Sequence, residues 1–142
     1  MSSQVTATPR SAAAVWISRL CIGLVLIWNL QAALTFIIWP AEQVPSFELS
    51  GEIGAAIIRS VGILFLMWNV PYAVAVWHPV RHRLSLYEAI VMQAIGVVGE
   101  TWVFLATPAS HVAARSSLAR FMGFDSAGLV LLLIAAWISR KQ

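Results

Sequence analysis

Arg59, Glu100 and Asp125 are ionisable residues set in stretches of sequence that are otherwise apolar. A guanidinium and two carboxyls brought together can make a structural clasp between helices. They can also make a working site that handles an anion or a proton, and ionisable groups in such surroundings are rare enough to make function the first hypothesis. A second set, Asn69 and Gln93, carries amides that bond across helices. What these side chains do depends on the elements that hold them.

Those elements can be read from composition. The chain has 142 residues, of which 60% are hydrophobic and 11% charged, and its mean hydropathy is +0.82. A soluble domain is typically about a quarter charged, and a fold of this length has too little interior to hide so much apolar surface. The fold expected is all-α, an integral membrane four-helix bundle in one transmembrane domain covering 1–142. Four apolar blocks, 16–39, 53–77, 86–107 and 118–139, are each long enough for the roughly 20 helical residues a crossing takes. Turn-rich connections, WPAEQVPSFELSG, HPVRHRLS and TPASHVAARSS, separate them. Residues 1–14 are small and polar and are expected to form a flexible tail.

Net charge is +3, but the basic residues are scattered rather than run together, which excludes nucleic acid as a partner. They act instead as topology signals. Arg10, Arg81, Arg83, Arg140 and Lys141 fall on one side, against Arg115 and Arg120 on the other, so the positive-inside rule puts both termini in the cytoplasm. Trp16, Trp39, Trp77 and Trp137 lie near block ends, at headgroup level.

Depth can then be counted at 1.5 Å per residue. Glu100 falls about 10 Å and Arg59 about 12 Å below the outer surface. The fourth block must begin near Leu118 to cross, which brings Arg120 and Asp125 into the same leaflet. Arg59 is therefore expected to pair with Glu100, with Asp125 competing for it, while Arg120 snorkels to the headgroups. Asn69 and Gln93 form a second polar level about 13 and 10 Å from the inner surface, expected within hydrogen-bonding reach of each other. Pro71 frees the Met67 carbonyl, which an amide or a water could serve.

On the third block Ala89, Gln93, Gly96 and Glu100 form one small and polar stripe, and on the fourth Asp125, Gly128, Leu132 and Ala136 share a face. Ser85 and Glu88 fit a capping box at the start of the third helix, with Arg19 as a second partner for Glu88.

Catalytic and metal chemistry find no complete set. His78, His82 and His111 all lie in connections, His78 and His82 are split by Pro79, and Cys21 has no partner. No metal, no cofactor and no catalytic residue is expected, which points away from an enzyme.

The opening of the first block, Arg19-Leu-Cys-Ile-Gly23-Leu, resembles the R-x-x-x-G start of the DoxX-like family of small four-span prokaryotic membrane proteins. The resemblance implies the prokaryotic cytoplasmic membrane and an accessory role near quinone chemistry, with quinone as a ligand of the surrounding system. The function expected is a noncatalytic accessory or assembly subunit of a membrane complex, quinone-linked, respiratory or photosynthetic. Its partners would be the lipid bilayer and either other subunits or further copies of the chain. The alternatives are a small-solute or proton-linked transporter using Arg59, Glu100 and Asp125, and an enzyme on lipid or quinone that holds an anionic or carbonyl group at Arg59.

Overall fold

A computed structural model describes residues 9–140. The first eight residues of the expected tail, and Lys141, lie outside the described residues. From Pro9 the backbone is helical, so α1 (Pro9–Ile38) begins well before Trp16.

Proline and glycine punctuate the chain beyond α1. Pro40 disfavours helix at Trp39, which sits at φ −121° and ψ 53°, and the chain turns into the short α2 (Pro40–Gln43) and a 3-10 turn, Val44–Phe47. Glu48 and Gly51, both at positive φ, swing it back into α3 (Gly51–Trp68). Pro71 then interrupts the ladder, and α4 (Val70–Trp77) starts after a break at Asn69. Asn69 serves that break with its own side chain, donating from Nδ2 to Phe65 O at 2.7 Å. The carbonyl this amide serves is thus that of Phe65, one turn before Asn69, while Met67 O accepts from the Asn69 backbone N–H. Pro79 comes just after the end of α4, and the chain re-enters helix at α5 (Arg83–Ala106) and α6 (Val112–Arg140).

Among the described residues all regular structure is helical, and four segments are long and apolar enough to cross a membrane: Ala12–Ile38, Gly51–Trp77, Arg83–Ala106 and Val112–Arg140. Helix α1 is central and packs on α3, α4 and α6, while α5 packs on α6 and α4. Near one end the core is aliphatic, around Ile22, Val25, Leu86 and Leu132. Near the other it is aromatic, with Phe36 packed against Phe47, Phe65 and Phe121 at ring separations of 5.7 to 6.0 Å. Outward faces carry large apolar side chains, including Trp77 (77% exposed) and Trp102 (72%).

The helix C-termini share one device. The last carbonyls of a helix have no intrahelical donor, and in each long segment an arginine from another helix supplies one. Arg59 Nε on α3 donates to Ile37 O of α1 (3.3 Å), and Arg19 Nη2 on α1 returns the bond to Trp77 O of α4. Arg83 Nη2 on α5 donates to Ser139 O of α6 (3.1 Å), while Arg115 Nη1 on α6 reaches Phe104 O (2.8 Å) and Thr107 O (2.5 Å) at the end of α5. Two of the basic residues counted as topology signals, Arg83 and Arg115, are also interhelical caps.

Two local expectations are corrected. Helix α5 starts at Arg83, with His82 at the N-cap and no side-chain capping bond, so Ser85 and Glu88 stand inside the helix and form no capping box. Arg19 serves the end of α4 rather than Glu88.

Close packing of α1 on α3 depends on Gly62, where an added Cβ would lie 2.8 Å from Phe36 Cβ and 2.9 Å from Ala33 O. Gly62→Val is therefore expected to push the two helices apart and lower stability by about 1–3 kcal/mol. Thermal unfolding in detergent checks this, and an unchanged midpoint would show that the two helices do not pack through this residue.

Candidate functional site

One set of interior polar side chains meets along α5, between α4 and α6. Gln93 on α5 is 4% exposed and Tyr72 on α4 is 3% exposed. The Tyr72 hydroxyl donates to Gln93 Oε1 at 2.6 Å, with Ala89 O a second acceptor at 3.2 Å. That bond fixes the amide, so that Gln93 Nε2 donates to Asp125 Oδ1 on α6 at 2.7 Å. Asn29 of α1 lies beside the same hydroxyl. The network links one residue from each of the two polar levels expected from depth, Gln93 and Asp125.

Glycines make room for it. A Cβ at Gly128 would come within 2.8 Å of Gln93 Nε2, and one at Gly96 would strike Asp125 Oδ2. The stripes Ala89–Gln93–Gly96–Glu100 and Asp125–Gly128–Leu132–Ala136 therefore face each other across the α5–α6 contact, because only small residues at those turns admit an amide and a carboxyl between the helices. Glu100 lies one turn beyond Gly96, with Asp125 as its charged neighbour. Its Oε2 is a buried atom with no hydrogen-bond partner.

Arg59 does not join them. It is exposed on α3, with its Nε on Ile37 O, and it forms no ion pair with Glu100 or Asp125. Gly62, one turn along the same face, commits that side of α3 to α1, whereas α5 has its packing partners in α6 and α4. Shared depth placed Arg59 and Glu100 at one level but on different faces of the bundle. Arg120 bends back one turn toward the start of α6, its Nη2 donating to Ser117 Oγ at 3.1 Å. Asn69 is buried, at 4% exposure, yet bonds to Phe65 O rather than to Gln93, and its Oδ1 has no partner.

Sequence reasoning missed Tyr72 and Asn29. The available signal was the spacing of Tyr72 from Asn69, three residues on along the same face, since a tyrosine well inside an apolar span needs a partner for its hydroxyl.

A second site lies at the end of the bundle formed by the first and third connections. Glu48 Oε2 meets His111 Nδ1 at 2.6 Å, the one ion pair among the described residues. Its Oε1 accepts from the backbone N–H groups of Ala113 (3.0 Å) and Ala114 (3.3 Å) at the start of α6. A carboxylate from a connection thereby caps a helix N-terminus, where anions are favoured. Glu48 and His111 edge an open groove of about 440 Å³ whose walls include Phe47, Trp102, Val103 and Pro108.

No protein-family model, curated protein or solved structure matches the chain significantly.

This geometry has two testable outcomes. Gln93→Leu strands the Asp125 carboxyl and is expected to lower stability by about 1–3 kcal/mol. Combined with Asp125→Leu, its effect should be clearly non-additive, whereas Arg59→Leu and Glu100→Leu should simply add. Unfolding in detergent of both double-mutant cycles tests this, and additivity in the first would dissolve the network.

The other outcome concerns acid. The Glu48 carboxyl is held below its ordinary value, first by the His111 hydrogen bond and further by the Ala114 and Ala113 amides, against opposing desolvation. With the folded value depressed, the carboxylate's contribution is fully present above the unfolded value of about 4.3 and disappears as pH falls through the lower folded value. Wild type should therefore lose stability below about pH 4.3 more steeply than Glu48→Gln. Acid titrations of equal slope for the two proteins would reject the clasp.

Proposed function

We propose that the chain is an integral membrane protein with four crossings and both termini in the cytoplasm, acting as a noncatalytic accessory or assembly subunit of a larger membrane complex. Insertion is supported by four helices long and apolar enough to cross, clad in exposed tryptophan and aliphatic side chains. The orientation rests on the bias of Arg10, Arg81, Arg83, Arg140 and Lys141 toward one side.

The observation that carries the accessory role is the commitment of the interior polar groups to the bundle itself. Gln93 is held between Tyr72 and Asp125, and Arg19, Arg83 and Arg115 are each held by the end of a neighbouring helix. Side chains engaged in this way hold helices together. The DoxX-like affiliation, the prokaryotic cytoplasmic membrane and a quinone-linked respiratory or photosynthetic setting are proposed on the Arg19-to-Gly23 motif. Both of its fixed residues sit on the face of α1 that meets α4, Arg19 against Trp77 O and Gly23 nearest Val76.

One observation favours a second reading, a proton-linked or small-solute transporter. Glu100 keeps a buried oxygen without a partner beside Asp125, and neither carboxyl is ion-paired. Purification under native conditions separates the two. An accessory subunit is expected to leave the membrane in a stable stoichiometric complex, either with other subunits or with further copies of itself. A chain that purifies alone and moves solute or protons when reconstituted into vesicles would overturn the accessory role in favour of transport.

A further inference from the structure

Arg59 differs from the other capping arginines in what it leaves free. Arg19, Arg83 and Arg115 are half-buried and bond through their Nη atoms. Arg59 is exposed and bonds through Nε alone. Its end-on edge, the Nη1 and Nη2 pair, has no acceptor among the described residues, and that edge matches two oxygens of a phosphate in a bidentate bond.

The Ile37 carbonyl also sets where the fork sits. Ile37 is next to the last residue of α1, so the bond holds the guanidinium at the end of that helix, where a snorkelling arginine meets headgroups. Around it the surface is apolar: Ile63, one turn along the same face of α3, is 48% exposed, and Ile38, next along α1 from the acceptor, is 53% exposed. Glu52, two turns earlier on α3, forms no ion pair with it. An aimed cationic fork above exposed apolar side chains is complementary to an amphiphile with a phosphate head and hydrocarbon chains.

We propose that Arg59 binds the phosphodiester of an outer-leaflet phospholipid at the junction of α1 and α3, with the acyl chains lying along the apolar surface beside it. This rests on membrane insertion with the termini cytoplasmic. The bound lipid completes the coordination of the guanidinium that caps α1, so the annular lipid becomes part of the α1–α3 contact.

The test uses the full chain in detergent, titrated with dioleoylphosphatidylglycerol and followed by native mass spectrometry. Dioleoylglycerol, with the same chains and no phosphate, and inorganic phosphate serve as the comparison arms. Wild type is expected to retain phosphatidylglycerol and not dioleoylglycerol, and Arg59→Leu to weaken that binding about tenfold or more. Arg59→Lys, which keeps the charge and loses the fork, should fall between them, and Arg120→Leu should bind as wild type. If Arg59→Leu does not fold, Arg59→Lys decides alone, and wild-type binding by it overturns the site. Equal binding of dioleoylglycerol overturns the phosphate, and equal binding of inorganic phosphate shows a free-anion site and overturns the lipid. Release of the wild-type chain from membranes by alkaline carbonate without detergent would instead overturn membrane insertion itself.

Discussion

The free carbonyls at the ends of four apolar helices are the constraint that the rest of the bundle answers. Each helix leaves its last acceptors unserved, and a buried acceptor without a donor costs about 1–3 kcal/mol. Two of the four ends are part-buried and two exposed, and at each of them another part of the chain supplies a donor. Here the donors are arginines, whose charge strengthens the bond and opposes the negative end of the helix dipole. They work in two reciprocal sets: Arg59 and Arg19 tie α1 to α3 and α4, and Arg83 and Arg115 tie α5 to α6. Because each donor stands on a different helix from its acceptor, satisfying helix ends also fixes which helices are neighbours and that they run antiparallel. At the start of α6, Glu48 does the converse job for orphan amides.

Between those ends the packing is set by where side chains are missing. Gly62 lets α1 and α3 approach through Phe36 and Ala33, and Gly96 and Gly128 open the α5–α6 contact to Gln93 and Asp125. Small residues thus perform two different tasks: on α3 they bring backbones together, and on α5 and α6 they admit polar side chains. The consequence is a bundle whose one half is joined by apolar contact and helix caps, and whose other half is joined in addition by a hydrogen-bonded chain from Tyr72 to Asp125.

Much of this is legible in the sequence, and the misses have a common cause. The polar stripe on α5 and the small face on α6 can be read because spacings of three and four residues fix which side chains share a face. Depth can be counted because the helical rise is constant. The direction in which a face points is another matter, since it is chosen by the partner helix. Helical spacing puts Arg59 and Gly62 on one side, but nothing local to α3 says that this side meets α1 rather than α5. Ser85 and Glu88 match a capping pattern that loses its meaning once α5 begins earlier, at Arg83. Glu48 and His111 stand 63 positions apart in two connections, and only the antiparallel arrangement of the helices brings those connections together.

Glu100 is the residue that structural economy does not explain. Asp125 accepts from Gln93 and so takes part in holding α5 to α6. Glu100 makes no such bond; its Oε2 is enclosed without a donor, and the charged group near it has the same sign. A chain selected only for a stable bundle would gain by an apolar residue at that position, because an unserved polar atom inside a protein is a net loss. Features that break a local rule without a compensating contact are where function is best sought. A partner chain that supplied a donor to Glu100 would account for it within an accessory role, and a proton or solute exchanged beside Asp125 would account for it within transport. Glu100 is therefore the point at which the two functions demand different chemistry from the same fold.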